Sequence, residues 1–91
     1  MSTDNIPNTP PALFSSFLMS LASAALIEMG AMEDPVTKTS KKNKDSAAQH
    51  VDLLLVMREK TKGNLEVPEK ELLDKIISDL QLEFAKSFKE K

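Results

Sequence analysis

The single histidine is the first residue to test for chemistry, because histidine is the most frequent general base in enzymes. His50 has Asp52 two residues after it and Ser46 one helical turn before it. Two residues apart on a helix, His50 and Asp52 point to different faces and do not pair. A serine in a first helical turn is more often a cap than a nucleophile. We therefore predict no catalytic residue in a single chain, and expect His50 at the edge of the core.

Metal and cofactor chemistry is also poorly supported by the composition. The chain has no cysteine and one histidine, which excludes thiolate metal sites, disulfides and a multi-histidine site within one chain. No glycine-rich loop is present, and the acidic residues between 66 and 79 are typical of a solvated helix face. We expect no cofactor, no metal and no enzymatic activity. An enzyme assembled across a dimer interface, pairing His50 with an acid of the other chain, is the least favoured alternative.

The segment from residue 59 to residue 65 concentrates polar residues at the end of a predicted helix. Gly63 suits a positive φ angle, Asn64 can bond to nearby backbone, and Leu65 can return to the core. Structure alone explains less well why Thr61 lies between Lys60 and Lys62. We therefore predict that this turn contacts an anion or an acidic partner. The candidate contact residues are Lys60, Thr61, Lys62, Asn64 and Asp52.

Asp52 stands alone among apolar residues, between Val51 and the leucines at 53–55. If it is buried, its charge needs a partner, supplied by a second chain or by the turn after the helix. If it faces water on the narrow polar side of the helix, it needs none. The sequence leaves both interpretations open.

The pattern predicts an all-α chain of three helices, at about residues 10–29, 46–62 and 68–89. Helices two and three are separated by a short turn and should form an αα-hairpin. Helix three has the clearest amphipathic face, at Leu73, Ile76, Ile77, Leu80, Phe84 and Phe88. We expect a disordered arm at 1–9 and a single domain at 10–91, with a flexible lysine-rich connection at 31–44.

Residue types also indicate the helix ends and the apolar face of helix two. Gly30 suits the position just past the end of helix one, and either Asp45 or Ser46 can cap helix two. One face of helix two carries Ala47, Val51, Leu54, Leu55 and Arg58. The residues expected to widen this face are Ala48, Leu53, Val56 and Met57.

The first helix carries no charged residue from position 10 to position 27. The stretch is short for a membrane span and lacks the basic flanks of a span or a secretory signal. We favour a helix that is buried on most sides, partly by a second copy of the chain, since a chain of 91 residues forms a small core. The alternative is that the small residues of this helix, Ser16, Ser20 and Ala24, only fill a tight core within one chain. The predicted self-association residues are Phe14, Phe17, Leu18, Leu21, Ser16, Ser20 and Ala24.

The order of these features resembles a small bacterial family catalogued as domain of unknown function 1844. An apolar helix containing Phe14-Ser-Ser-Phe17 precedes Val51-Asp52-Leu-Leu and then the run from Lys60 to Leu65. The resemblance covers about residues 14–84 and implies the helical fold and a cytoplasmic bacterial setting, without an established activity. Asp52, Lys60, Thr61, Gly63, Asn64 and Leu65 match the family's pattern. Family members often carry threonine or serine before the last helix, where this chain has Val67-Pro68, so a side-chain cap there is unexpected.

The function favoured by these observations is a non-enzymatic interaction or structural module. We expect it to form a homo-oligomer, with a dimer favoured, and an unidentified protein is a further candidate partner. The runner-up is a nucleic-acid- or ribosome-associated factor that uses Lys38, Lys41, Lys42, Lys44, Lys60 and Lys62. The net charge of −2 argues against a nucleic acid as partner. The short uncharged stretch of the first helix, which lacks basic flanks, argues against a membrane as partner.

Overall fold

The computed structural model describes residues 10–89, and their side chains from residue 13 onward. The expected disordered arm at 1–9 lies outside the described residues. The chain forms three helices, α1 (Pro10–Glu28), α2 (Lys44–Lys60) and α3 (Val67–Ser87). No strand occurs within residues 10–89, so the all-α prediction is confirmed. Helix α2 begins two residues earlier than expected, which moves Lys44 from the connection into the helix.

All three helices pack on one another around one core. Its largest fully buried side chains are Leu18 and Met29 of the α1 region, Leu54 of α2 and Leu73 of α3. Alanines at positions 22, 25 and 47 are also buried, and small side chains at these positions allow the helices to approach closely. The apolar face predicted for α3 is confirmed: Leu73, Ile76, Ile77 and Leu80 are buried, and Phe84 and Phe88 pack against them.

The core face of α2 is narrower than its sequence predicts. Ala47, Val51 and Leu54 are buried, but the side chains of Leu53 and Val56 are 43% and 50% exposed. The expectation that these two residues widen the core face is wrong, because two neighbouring helices cover only one side of α2.

Glycine ends α1, as expected. Gly30 has a φ angle of 80°; its N–H donates to the carbonyl of Ile27, and the Ala31 N–H donates to that of Leu26. These two bonds form a Schellman motif, which satisfies free carbonyls at the helix end. Gly63, just beyond α2, has a φ angle of 86°, also as expected.

The caps of α2 and α3 differ from the predicted ones. Asn43, and not Asp45 or Ser46, caps α2, since its side-chain oxygen accepts a bond from the Ser46 N–H at 3.0 Å. Helix α3 needs no serine or threonine cap, because the Glu69 carboxylate accepts a bond from the Glu66 N–H at 2.8 Å. Glu69 is only 8% exposed, so this acid belongs to the helix end and not to the predicted solvated face.

The connection between α1 and α2 contains hydrogen-bonded turns. Asp34 accepts bonds from the Val36 and Lys38 N–H groups. Lys42 reaches α3, where its ammonium donates to the Ser87 carbonyl at 2.9 Å and lies 5.8 Å from the centre of the Phe88 ring. A single lysine thus ties the connection to the C-terminal end of α3, whose last carbonyls favour a cation.

None of the helices within residues 10–89 combines the length and apolarity required to cross a membrane.

Candidate functional site

The turn between α2 and α3 borders an open groove of about 360 Å³, which is the principal candidate site. Its lining residues come from the end of α2, the turn and the start of α3: Arg58, Glu59, Thr61, Lys62, Gly63, Leu65 and Lys70. Three of these side chains are cationic and one is anionic. Leu65 is half-buried and packs against the core, so it gives the groove an apolar wall between the charges.

An acid on α3 organises two of the three cations. The Lys70 ammonium lies 3.1 Å from Asp74 Oδ2, and Arg58 Nη1 lies 3.4 Å from Asp74 Oδ1. The hydrogen bond from Lys70, opposed by partial desolvation and assisted by Arg58, lowers the pKa of Asp74 from its ordinary value of 3.8. Asp74 is therefore charged at neutral pH and links α2 to α3 beside the groove. Within residues 10–89, Lys62 forms no ion pair.

The structure separates the residues predicted for this turn into two groups. Thr61 and Lys62 line the groove, whereas Lys60 and Asn64 are exposed outside it. Thr61 also has a structural role, because its hydroxyl donates to the Met57 carbonyl at 2.7 Å at the end of α2. Arg58 and Lys70 also line the groove, although no pattern in the sequence had indicated either residue as a member of the site. The signal was weak, because the two residues are twelve positions apart and meet only when α2 and α3 pack.

Asp52 lies elsewhere, on a second and smaller depression. Its side chain is exposed and borders a cavity of about 160 Å³ together with Ala48, Val51, Gln81 and Phe84. The interpretation that Asp52 faces water is therefore the correct one within a single chain. The structure does not bring Asp52 together with the turn residues that were predicted to share a site with it.

The predicted self-association residues of α1 fall on opposite sides of the helix. Leu18 is fully buried, and Phe14 and Leu21 pack against the chain's own core, so Leu18 is not available to a second copy. Phe17 is 51% exposed, and Ser16 and Ser20 are exposed as well. Ser20 and Ala24 line a shallow cavity of about 470 Å³ whose other walls are Met19, Ser23, Ile27, Met32 and Pro35.

His50 has a partner that the sequence did not reveal. Its Nδ1 atom lies 2.8 Å from Glu28 Oε1 and 3.1 Å from the Ser46 carbonyl. Both neighbours are acceptors, so Nδ1 carries a proton and donates. The pair joins the end of α1 to the first turns of α2. The expected position of His50 at the edge of the core is confirmed, and the acid beside it comes from the same chain.

Metal ligands do not cluster in the described part of the chain. No group of three or more histidine, aspartate and glutamate side chains between residues 13 and 89 is arranged to hold an ion. The groove at the α2–α3 turn, called the basic groove below, places three cationic side chains near the apolar Leu65. This arrangement suits an anionic group that lies beside an apolar one.

Comparison with known proteins places the chain in a family. The family described as domain of unknown function (DUF1844) matches residues 11–86, which is most of the sequence, and the chain belongs to this family. Neither the curated proteins nor the solved structures contain a match to the chain.

Proposed function

We propose that this member of the DUF1844 family is a non-enzymatic interaction module that self-associates through the exposed face of α1. One observation carries the proposal: the side of α1 that faces away from the core has no charged residue. Between residues 13 and 27 this side exposes Leu13, Phe17 and Met19 by 44–52%, with serines and an alanine between them. A solvated helix normally carries charges on the face opposite its core.

The energetic argument follows from the exposed apolar area. Burying a phenylalanine, leucine or methionine side chain fully is worth roughly 1.5–3 kcal/mol. Three such side chains that are about half exposed therefore leave part of this free energy available to association. An uncharged surface that exposes large apolar side chains is a candidate interaction site. A chain of 91 residues has a small core of its own and gains correspondingly from a partner.

The shape of the surface favours a second copy of the chain as the partner. Projecting side chains, Leu13 and Phe17, lie toward the start of α1, and the shallow cavity bordered by Ser20, Ser23 and Ala24 lies toward its end. A two-fold axis places the same patch on both subunits. Two α1 helices related in this way, crossing in opposite directions, would set each Phe17 over the small residues of the other helix.

The other two helices would form the outer layer of such a dimer. Arg58, near the end of α2, pairs with Asp74 in the first half of α3. Val51, earlier in α2, borders a cavity together with Gln81 and Phe84, which lie near the end of α3. Residue numbers therefore increase along α2 while the numbers of the residues facing it on α3 decrease. This order supports an αα-hairpin in which α2 and α3 run antiparallel.

We propose a dimeric helical bundle with the two α1 helices at its centre. We further propose that it acts in the cytoplasm, because a chain without cysteine suits a reducing compartment.

The proposal is tested by the mass of the protein in solution. We expect light scattering with refractive-index detection to give twice the chain mass of 10.1 kDa; refractive index is needed because the chain has no tryptophan or tyrosine. Phe17→Glu should convert the dimer to a monomer with unchanged helical content, because Phe17 is half exposed. Leu82→Glu is the matched control, since Leu82 is 67% exposed on α3, and it should leave the dimer intact. A wild-type monomer at all accessible concentrations would refute self-association.

The nucleic-acid alternative has less support. Of the lysines in the connection, Lys42 is engaged with the Ser87 carbonyl and the Phe88 ring, and no phenylalanine lines the basic groove. Nucleic-acid grooves usually combine dense positive charge with stacking side chains. Binding of an oligonucleotide that weakens steeply with salt would favour this alternative over the first.

A further inference from the structure

We infer that the groove at the α2–α3 turn binds an acidic peptide segment, with one apolar side chain against Leu65 and a neighbouring carboxylate between Lys62 and Arg58. The inference does not rest on self-association, because the groove and the exposed face of α1 share no residue.

The charge around the groove is positive but moderate. Arg58, Lys62 and Lys70 contribute three positive charges, whereas Glu59 in the lining and Asp74 beside the groove contribute two negative charges. Asp74 holds Arg58 and Lys70 through their ion pairs. Lys62 forms no such pair within residues 10–89, so its ammonium is the cation most able to meet an incoming anion. The guanidinium of Arg58, which lines the same groove, offers several donors in a planar fork, and this geometry suits a carboxylate.

The apolar wall decides between classes of anion. Leu65 lies beside the cations, and the aliphatic stems of lysine and arginine add apolar surface to it. Free phosphate would meet only the charges and gain nothing from Leu65. A nucleic acid would find no aromatic side chain among the lining residues on which to stack its bases. A segment that alternates acidic and apolar residues matches both the charges and the wall.

The groove is also of adequate size and positioned by ordered backbone. Its volume of about 360 Å³ falls at the lower end of the range for ligand pockets. One edge is fixed by Thr61, whose hydroxyl is bonded to the Met57 carbonyl, and another by the N-terminal turn of α3, where Glu69 is bonded to the Glu66 N–H. The cations thus project from two helix ends that are each held by a side-chain cap.

The test is a titration of the ¹⁵N-labelled full chain with a short capped peptide of alternating glutamate and leucine, followed by amide chemical shifts. We expect saturable shifts centred on residues 58–65 and on Lys70, and weaker binding at higher salt. The same peptide with glutamine in place of glutamate should bind at least about fivefold more weakly, because it offers no charge to Lys62. Inorganic phosphate at the same ionic strength should not produce the full set of shifts.

Two neighbouring lysines provide a matched pair of variants. Lys62→Glu should weaken peptide binding about tenfold, whereas Lys60→Glu, with the same change in net charge two residues away but outside the groove, should weaken it only about twofold. Asp74→Asn should tighten peptide binding about threefold, because it releases Arg58 and Lys70 from their shared acid. If Asp74 had only a structural role, the same substitution would weaken peptide binding.

Three results would overturn the inference. The first is the absence of saturable shifts with the glutamate–leucine peptide. The second is an equal loss of binding in Lys60→Glu and Lys62→Glu, which would indicate attraction by net charge alone. The third is tighter binding of a single-stranded oligouridine or of inorganic phosphate at these residues, which would assign the groove to a phosphate-bearing ligand. A monomeric protein that still binds the peptide would separate this inference from self-association.

Discussion

Helix α1 and helix α3 present their outer faces to solvent in opposite ways. The exposed side of α3 carries Lys70, Lys75 and Asp79, among other charged residues, and forms ion pairs along the helix. The exposed side of α1 carries no charge between residues 13 and 27, and leaves Phe17 and Met19 about half exposed. Both helices pack the other side into the same core. The outer side of α3 is therefore solvated through charged side chains, whereas the outer side of α1 has none between residues 13 and 27.

The same contrast extends to the information in the sequence. Polar residues on α3 mark which side is solvated, so its buried side can be identified in advance. Helix α1 has large apolar side chains around much of its circumference, and no pattern in it distinguishes the core side from the exposed side. Four experiments test this contrast, and they are described in decreasing order of the change in stability that we expect.

The two sides of α1 are best separated at neighbouring positions. Leu18→Ala removes a fully buried side chain and should reduce the free energy of unfolding by about 2–5 kcal/mol, as large-to-small core substitutions do. Phe17→Ala should change the stability of the isolated chain by less than about 1 kcal/mol, because its side chain is half exposed. Thermal unfolding at several protein concentrations measures both effects.

Concentration dependence is the decisive readout in that experiment. Leu18→Ala should lower the melting temperature equally at all concentrations, whereas Phe17→Ala should mainly remove the rise of melting temperature with concentration that a dimer produces. Comparable losses from Phe17→Ala at the lowest concentrations would contradict the assignment of Phe17 to an outer face.

The glycines that follow α1 and α2 give the next largest effect. Gly63→Ala forces a residue with a side chain to adopt a φ angle of 86° and should cost about 1–2 kcal/mol. At Gly30 the φ angle is 80° and an added Cβ would also lie 2.8 Å from Cγ of Lys42. Gly30→Ala should therefore cost about 1 kcal/mol more, through the displaced Lys42 and its bond to Ser87. Urea unfolding of both variants measures the difference.

A double variant isolates the contribution of Lys42. Combining Gly30→Ala with Lys42→Ala should add little to the loss caused by Lys42→Ala, apart from the backbone strain that Gly63→Ala also shows. Full additivity of Gly30→Ala and Lys42→Ala would indicate that the lysine does not pass over Gly30 in solution.

The start of α2 distinguishes the observed cap from the one expected. Asn43→Ala should destabilise the protein by about 1 kcal/mol, because it removes the acceptor for the Ser46 N–H. Ser46→Ala keeps that backbone donor and should change the free energy of unfolding by no more than about 0.5 kcal/mol. A larger effect of Ser46→Ala, measured by chemical denaturation, would restore Ser46 as the cap.

The smallest effect is expected from the pH dependence of Asp74. Because its ion pairs lower the pKa of Asp74 in the folded chain below 3.8, the folded state binds the proton less readily than the unfolded state. The two ion pairs of Asp74 therefore make their full contribution to the free energy of unfolding above pH 3.8. This contribution is lost as the pH falls through the lowered pKa of Asp74. Asp74→Asn should flatten the decrease in melting temperature below about pH 4. Since Asp74 is partly exposed, the change should be small, and an unchanged acid profile would show that the pair does not contribute.

Much of the fold followed from local sequence signals. The number of helices, their bounds to within two residues, and the positive φ angles at Gly30 and Gly63 were predicted from caps, glycines and spacing. The core face of α3 was predicted correctly because its apolar residues recur at intervals of three and four with charges between them. The faces of α1 and α2 were predicted less well, because apolar residues such as Leu53 and Val56 lie outside the part that neighbouring helices cover.

The candidate site was predicted only in part, for a similar reason. Thr61 and Lys62 stand together in the sequence and were identified there. Their partners in the groove, Arg58 and Lys70, belong to different helices and appear close only after α2 and α3 pack. The contact between His50 and Glu28 spans 22 residues, and no local pattern indicates such a pair.

Residue types and local spacing are sufficient to specify the helices, their ends and the absence of thiol chemistry, because these features depend on residue type and on neighbours within about four positions. The packing of the three helices leaves one side of α1 uncovered, exposes Asp52 to water and allows Asp74 to join Arg58 to Lys70. These features depend on which faces of the helices meet, and the free energy of that packing is shared among many apolar contacts between residues that are distant in the chain.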